Sequence, residues 1–247
     1  MAAPWLDWLE QITKAHPVER TPGLLVATAP GDFSTELACG LAELAAQCSA
    51  DGECLREVTH GQDRFLALWG PGLATHLLAP QQFHRAFAES LLTHELRERL
   101  GQSRLWLAGH GLGGVFALLA GEWCAAQGHP AAGIYTFGCP RIGHLNVQAP
   151  VFRVVNGIDI AATVPPPWRH RHLGRHVWID PTSGRVILEP NLFQRLPAFA
   201  AQNRWLVHLL NQGLRHGYPR AVDELLTQVL ADHSPNAYVD RLRAALL

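Results

Sequence analysis

The sequence predicts an α/β fold in which a mostly parallel central sheet is covered by helices on both faces, and three observations point there. Short apolar runs bounded by Pro and Gly alternate with longer segments of helical spacing, the pattern of parallel strands joined by crossover helices. One such run, residues 104–108, passes through closely spaced glycines straight into the helical segment 112–127. With 247 residues and 48% hydrophobic content the chain can bury a full core, and an α/β unit of this size is expected to be one domain spanning 1–247.

Taken in order, Trp5, Leu6, Trp8, Leu9 and Ile12 have helical periodicity without basic residues on the polar face, which favours packing on the body over a membrane surface. Residues 24–29 are apolar between Pro22-Gly23 and Pro30-Gly31 and read as a strand. A helix follows through Leu37, Leu41, Leu44 and Ala45. Residues 54–58 and 64–69 are expected strands joined by a turn at His60-Gly61-Gln62-Asp63. Phe87, Leu91, Leu92, Leu96 and Leu100 place a helix over 83–100. Strand 104–108 and helix 112–127, closed by Gly128, come next. Residues 133–137 and 151–155 read as strands, and 176–180 with 185–188 as a hairpin turning at 181–184. Helices are expected over 199–214, 220–230 and 236–246.

Charge and composition narrow the function. Twenty Lys and Arg against 21 Asp and Glu leave a net charge of -1, so no global field draws the chain to nucleic acid. The first residues lack the basic region, apolar core and cleavage site of a secretory signal, and no apolar run is long enough to span a bilayer. A cytoplasmic protein is expected, with export by a signal-independent route left open. Five irregularly spaced cysteines, Cys39, Cys48, Cys54, Cys124 and Cys139, suit reduced thiols better than a disulfide framework. His170, His172 and His176 lack further ligands at metal spacing beyond Asp180, so no metal and no cofactor is expected.

The chemistry-bearing segment is Gly109-His110-Gly111-Leu112-Gly113-Gly114, between strand and helix. It has the glycine frame of a nucleophile elbow, G-x-S-x-G, in which small flanking residues let strand and helix cross closely and the central residue projects above the sheet. The central residue here is glycine. Further blocks stand downstream and upstream of it: Phe83-His84-Arg85-Ala86-Phe87, the run from Tyr135 to Gly143, Arg153-Val154-Val155-Asn156 through Asp159 to Pro165-Pro166, Arg171-His172-Leu173-Gly174, and Asp232-His233-Ser234 before Tyr238 and Leu242.

Together these blocks resemble, in the correct order, the class 3 (fungal-type) lipases of the α/β-hydrolase fold, whose elbow reads GHSLGG. The best-matched core runs from about 64 to 242. The resemblance implies that Gly111 stands where that family has its nucleophilic serine, that Asp159 matches the acid and that His233 matches the base. It also places the oxyanion donors at Leu112, whose backbone N–H is retained, and at Gly70-Pro71, where Pro71 replaces a threonine and offers neither an N–H nor a polar side chain. Trp69, His110 and Trp168 fall around the pocket mouth by the same resemblance. The short connection from Gly70 to His84 leaves room for only a small lid or none.

Glycine offers no oxygen to acylate, so the usual covalent ester hydrolysis is not available to the chain as it stands. Three readings follow. The chain is a pseudoenzyme that binds a lipid-like or acyl-ester ligand or a protein partner; or a serine esterase or lipase of acylglycerols or phospholipids whose nucleophile has been replaced; or a purely structural interaction module. Cys139 as a substitute nucleophile is disfavoured because a small buried thiol explains it.

Overall fold

The computed structural model of the chain describes residues 25–51, 55–69, 84–85, 87–88, 90, 92–101, 103–163, 170–196 and 231–247. Among these, seven strands form one sheet in sequence order: β1 Leu55–His60, β2 Asp63–Leu68, β3 Arg104–His110, β4 Gly133–Phe137, β5 Val151–Asn156, β6 Arg175–Ile179 and β7 Val186–Leu188. Strands β2 to β6 run parallel, and β1 and β7 close the two edges antiparallel. The helices are α1 Thr35–Asp51, α2 Leu92–Arg99, α3 Leu112–Ala126 and α4 Pro235–Ala244. A mostly parallel α/β sheet is therefore what the chain builds.

Alternation along each strand sorts the core into two layers. Phe65, Ala67, Trp106, Ala108, Tyr135, Phe137, Phe152 and Val154 pack with α1 and α4, while Leu66, Leu68, Leu105, Leu107 and Ile134 pack with α2 and α3. Each fully buried Leu or Phe in these layers is worth about 1.5–3 kcal/mol. Helix α1 begins where the Ser34 hydroxyl accepts the Leu37 N–H at 3.0 Å, a cap worth about 1 kcal/mol. Helix α3 ends in a Schellman turn, with the His129 N–H on the Cys124 carbonyl at 2.9 Å and the Gly128 N–H on Ala125 at 3.0 Å.

Two expected elements differ from the structure. Residues 25–29 form no strand; Leu25 instead seats its side chain against Gly40 of α1, where a Cβ would collide with it, and so buries its apolar surface without joining the ladder. The helix expected over 83–100 does not run through: Ser90 is a bend, and α2 begins only at Leu92. The Ser90 hydroxyl and N–H both donate to the Phe87 carbonyl, at 2.6 and 3.1 Å, closing a local turn that competes with helix continuation. The apolar spacing survives the break, because Phe87, Leu92 and Leu96 all remain buried. The expected helices over 199–214 and 220–230 and the Trp5 to Ile12 segment lie outside the described residues, whereas the 236–246 helix falls in α4.

Candidate active site

The parallel strands deliver their C-terminal ends to one edge of the sheet, and there β3 turns into α3 through Gly111. Its backbone, at φ 54° and ψ -119°, lies in a region that L side chains enter only with strain, and glycine enters freely. The joint is also crowded: a Cβ at Gly109 would strike the Gly113 backbone, and one at Gly113 the Leu68 carbonyl. The glycine frame is thus required by how closely β2, β3 and α3 approach. Leu112 opens α3, so its N–H is among the first-turn donors that the helix itself leaves unpaired.

Across from Gly111 stands His233, from the loop entering α4. Its Nδ1 donates to Asp159 Oδ2 at 2.9 Å, which leaves Nε2 facing the elbow. A Cβ built on Gly111 would lie 3.3 Å from that Nε2, so a hydroxyl one bond further out comes within hydrogen-bond reach. Asp159 is almost wholly buried and fully engaged: Oδ1 accepts the Ala161 N–H at 2.9 Å, and Oδ2 also accepts the Tyr238 hydroxyl at 2.6 Å. Burial by itself would raise the Asp159 carboxyl, but the adjacent His233 ring and the hydrogen bonds from His233 and Tyr238 outweigh it and hold the carboxyl below its ordinary value.

The loop that carries His233 is braced from below. Asp232 Oδ1 pairs with Arg241 at 2.7 Å and its Oδ2 accepts the Ile158 N–H at 3.1 Å, while its carbonyl accepts Asn156 Nδ2 at 2.9 Å. Arg241 also donates to Asn156 Oδ1 at 2.8 Å, tying α4 to the end of β5. Gly138, at the end of β4, is the floor: with φ 61° and only 2.6 Å from an added Cβ to Asp159 Oδ2 and 2.8 Å to His233 Nδ1, no other residue fits beneath the pair.

His110 is buried, with its ring centroid 4.6 Å from that of His233. Its Nε2–H donates to the His233 backbone carbonyl at 2.6 Å, because a carbonyl can only accept. Burial and the neighbouring His233 push its pKa down to about 3, so it stays neutral. The residue that motif reading passed over is Tyr238. It sat in the C-terminal block as a pattern position; the signal available was a Tyr four residues into an amphipathic helix, whose buried hydroxyl needs a partner, and that partner is Asp159.

Trp69 is partly buried, beside the start of α3. Gly70, Pro71 and Trp168 lie outside the described residues. Cys139 is buried against Gly114 and its thiol is pushed up to about 12 by burial, so it remains protonated and non-nucleophilic. Cys39, Cys48 and Cys124 are likewise buried free thiols. Among the described residues no group of three or more His, Cys, Asp or Glu is placed to hold a metal ion, and no helix is long and apolar enough to cross a membrane.

No curated protein sequence matches the chain. Among solved structures, Rhizomucor miehei triacylglyceride lipase superposes with a TM-score of 0.47 at 18% identity, over 61% of this chain and 80% of that one. The lipase from Rhizopus microsporus var. chinensis gives 0.44 at 18% identity, over 68% and 82%. A nonglycosylated lipase of Yarrowia lipolytica gives 0.42 at 13% identity, over 77% and 89%. The family model described as Lipase (class 3) matches residues 34–168, more than half of the chain and inclusive of the elbow and Asp159. The chain belongs to the class 3 lipase family.

Proposed function

We propose that this chain is a nucleophile-less member of its family that binds an acyl-ester or other lipid-like ligand at the elbow without hydrolysing it. The observation that carries the reading is Gly111 itself, set 3.3 Å by its absent Cβ from His233 Nε2. Among the described residues, His233 and Asp159 are then left as a hydrogen-bonding pair with no elbow side-chain oxygen to deprotonate. In a serine hydrolase the base hands the nucleophile's proton to the leaving group; here Gly111 supplies no such proton, which leaves water or a ligand hydroxyl in that role. Pro71, which brings neither an N–H nor a hydroxyl to the oxyanion side, supports the same reading.

The retained Asp159–His233–Tyr238 hydrogen-bond chain favours a second reading, in which a serine esterase is seen with its nucleophile replaced. Gly111→Ser separates the two. Assayed on short- and long-chain p-nitrophenyl esters beside the unaltered chain, Gly111→Ser is expected to fold and show no turnover, while the unaltered chain binds a long-chain fluorescent acyl ester saturably. Turnover in the serine form would overturn the first reading in favour of the second. Absence of both turnover and binding would leave a structural module.

A further inference from the structure

A second cluster of nitrogen-bearing side chains lies away from the Gly111 elbow, on the α3 side of the sheet at β5 and β6. Phe152, Val154 and Val177 point into the α1 layer, so by alternation Arg153 and His176 point to the opposite face, where they sit directly across from each other in the parallel register. His172 approaches from the loop before β6, which meets the 139–143 loop through the Gly143 N–H and the Arg171 carbonyl.

Buried cations are ordinarily paired with carboxylates. Here Arg153 Nε, His172 Nδ1 and His176 Nε2 are each buried without a hydrogen-bond partner among the described residues. Among the described residues, the other charged side chains that act on the two rings and the guanidinium are of the same sign, Arg141 and Arg195. Cys139 beside Arg153 stays protonated and contributes no negative charge. Tyr238 is neutral, its hydroxyl pushed well up by burial and by Asp159. The neighbouring carboxylate, Glu189, places Oε1 on the His176 backbone N–H at 2.7 Å, not on the ring. Arg153, His172 and His176 are each half-buried as residues, although the unpartnered nitrogens themselves are covered.

We propose that Arg153, His172 and His176 form a binding site for a phosphate-class oxyanion, supplied by the headgroup of an anionic lipid surface. The forked guanidinium and two imidazole rings, Arg153 and His176 facing each other across β5 and β6, offer the kind of donors that such an anion accepts. The lipid source follows from the neighbouring segment: residues 192–196 carry Arg195 toward the cluster, while Leu192 and Phe193 beside it are 71% and 80% exposed and Leu196 is 45% exposed. Apolar side chains next to a cationic cluster suit an acyl boundary below a layer of phosphates. Binding there would draw protons onto His172 and His176, because the anion's charge offsets that of Arg153 and favours the protonated rings. Burial, with Arg153 close by, holds both imidazoles down to about 3 in the free chain. The site does not depend on how Gly111 is read, and its failure would leave that reading untouched.

The test compares the full chain with Arg153→Gln and, as a second variant, His176→Gln. Two probes are used at matched ionic strength: inorganic phosphate by calorimetry in buffers of different ionisation enthalpy, and vesicles of phosphatidylcholine with and without phosphatidic acid by cosedimentation. The parent chain is expected to bind phosphate with proton uptake and to prefer the phosphatidic acid vesicles. Either variant is expected to bind both about tenfold more weakly, the loss of one charge-assisted contact. Histidine ring NMR of the parent chain should show two imidazole pKa values rising on phosphate addition, a readout that needs no variant to fold. Phosphate binding without vesicle preference would overturn the lipid source. No binding of either probe, or variants equal to the parent, would overturn the site.

Discussion

The two sides of the elbow at Gly111 are built to different standards. On one side Asp159, His233, Tyr238 and His110 are buried, hydrogen-bonded to one another and braced through Asp232 and Arg241. On the other side Gly111 keeps the elbow backbone with nothing projecting from it. The elbow backbone and the elbow chemistry therefore have separate causes. The first is fixed by the close crossing of β3 and α3, which Gly109 and Gly113 permit whatever stands between them; the second depends on a single side chain.

Acid should expose this asymmetry most strongly. His110, His172 and His176 are each held down to about 3, against an ordinary 6.5, chiefly by burial. The unfolded chain therefore takes up these protons first, so the stability from keeping the rings neutral is complete above about pH 6.5 and is lost as pH falls from there toward 3. Asp159 adds a further loss in the same direction, since its lowered folded value confers stability above the ordinary 3.8 that disappears as pH falls through the folded one. Urea midpoints measured from pH 7 to pH 4 should fall steadily, and His110→Gln should flatten that slope by up to one proton. A pH-independent midpoint across this range would contradict the neutral burial of these rings.

Next in size is the joint itself. Gly109→Ala forces a Cβ into the Gly113 backbone and is expected to cost about 3 kcal/mol or more, read as loss of folded protein or a large drop in thermal midpoint. Asp159→Asn keeps the shape but exchanges a charged acceptor for an amide, and should cost about 2 kcal/mol at pH 7. Gly111→Ala is the mildest of the series. Its Cβ meets His233 Nε2 at 3.3 Å, so that ring must yield by a few tenths of an ångström, and it carries the strain of φ 54°, about 1–2 kcal/mol together. Were Gly111→Ala as damaging as Gly109→Ala, backbone and chemistry at the elbow would not be separable.

Much of the architecture was legible because it is written in local pattern. The β3–α3 frame, the parallel strands β4 and β5, and the hairpins at 60–63 and 181–184 follow from apolar runs cut by Gly, Pro and Asp. Where pattern misled, a local hydrogen bond or a tertiary seat won. Ser90 folds back on Phe87 inside an otherwise helical spacing, and Leu25 found a glycine notch on α1 in place of a strand partner. Motif order could number Asp159 and His233, but not the arrangement around them. Tyr238 on Asp159, and Asp232 reaching the Ile158 N–H beyond the end of β5, are contacts between residues far apart in the chain, which no window of sequence contains. The cationic pair Arg153 and His176 was hidden for a related reason: facing across two parallel strands is a matter of register, and register is not spelled in either strand alone.

The hydrogen bond from His110 to the His233 carbonyl spans 123 positions of chain, and that from His233 to Asp159 spans 74. Contacts of such separation are entropically the dearest to close and are the last that a folding chain gains. The sheet from β2 to β5 and its α3 cover can therefore assemble first, with the ends of β3, β4 and β5 still uncapped. Docking of α4 then sets His233, Tyr238 and Arg241 in place together. In kinetic terms the Asp159–His233 arrangement is expected to close late in folding, so substitutions at Arg241 or Tyr238 should raise the unfolding rate more than they lower the folding rate, which stopped-flow folding and unfolding kinetics would check.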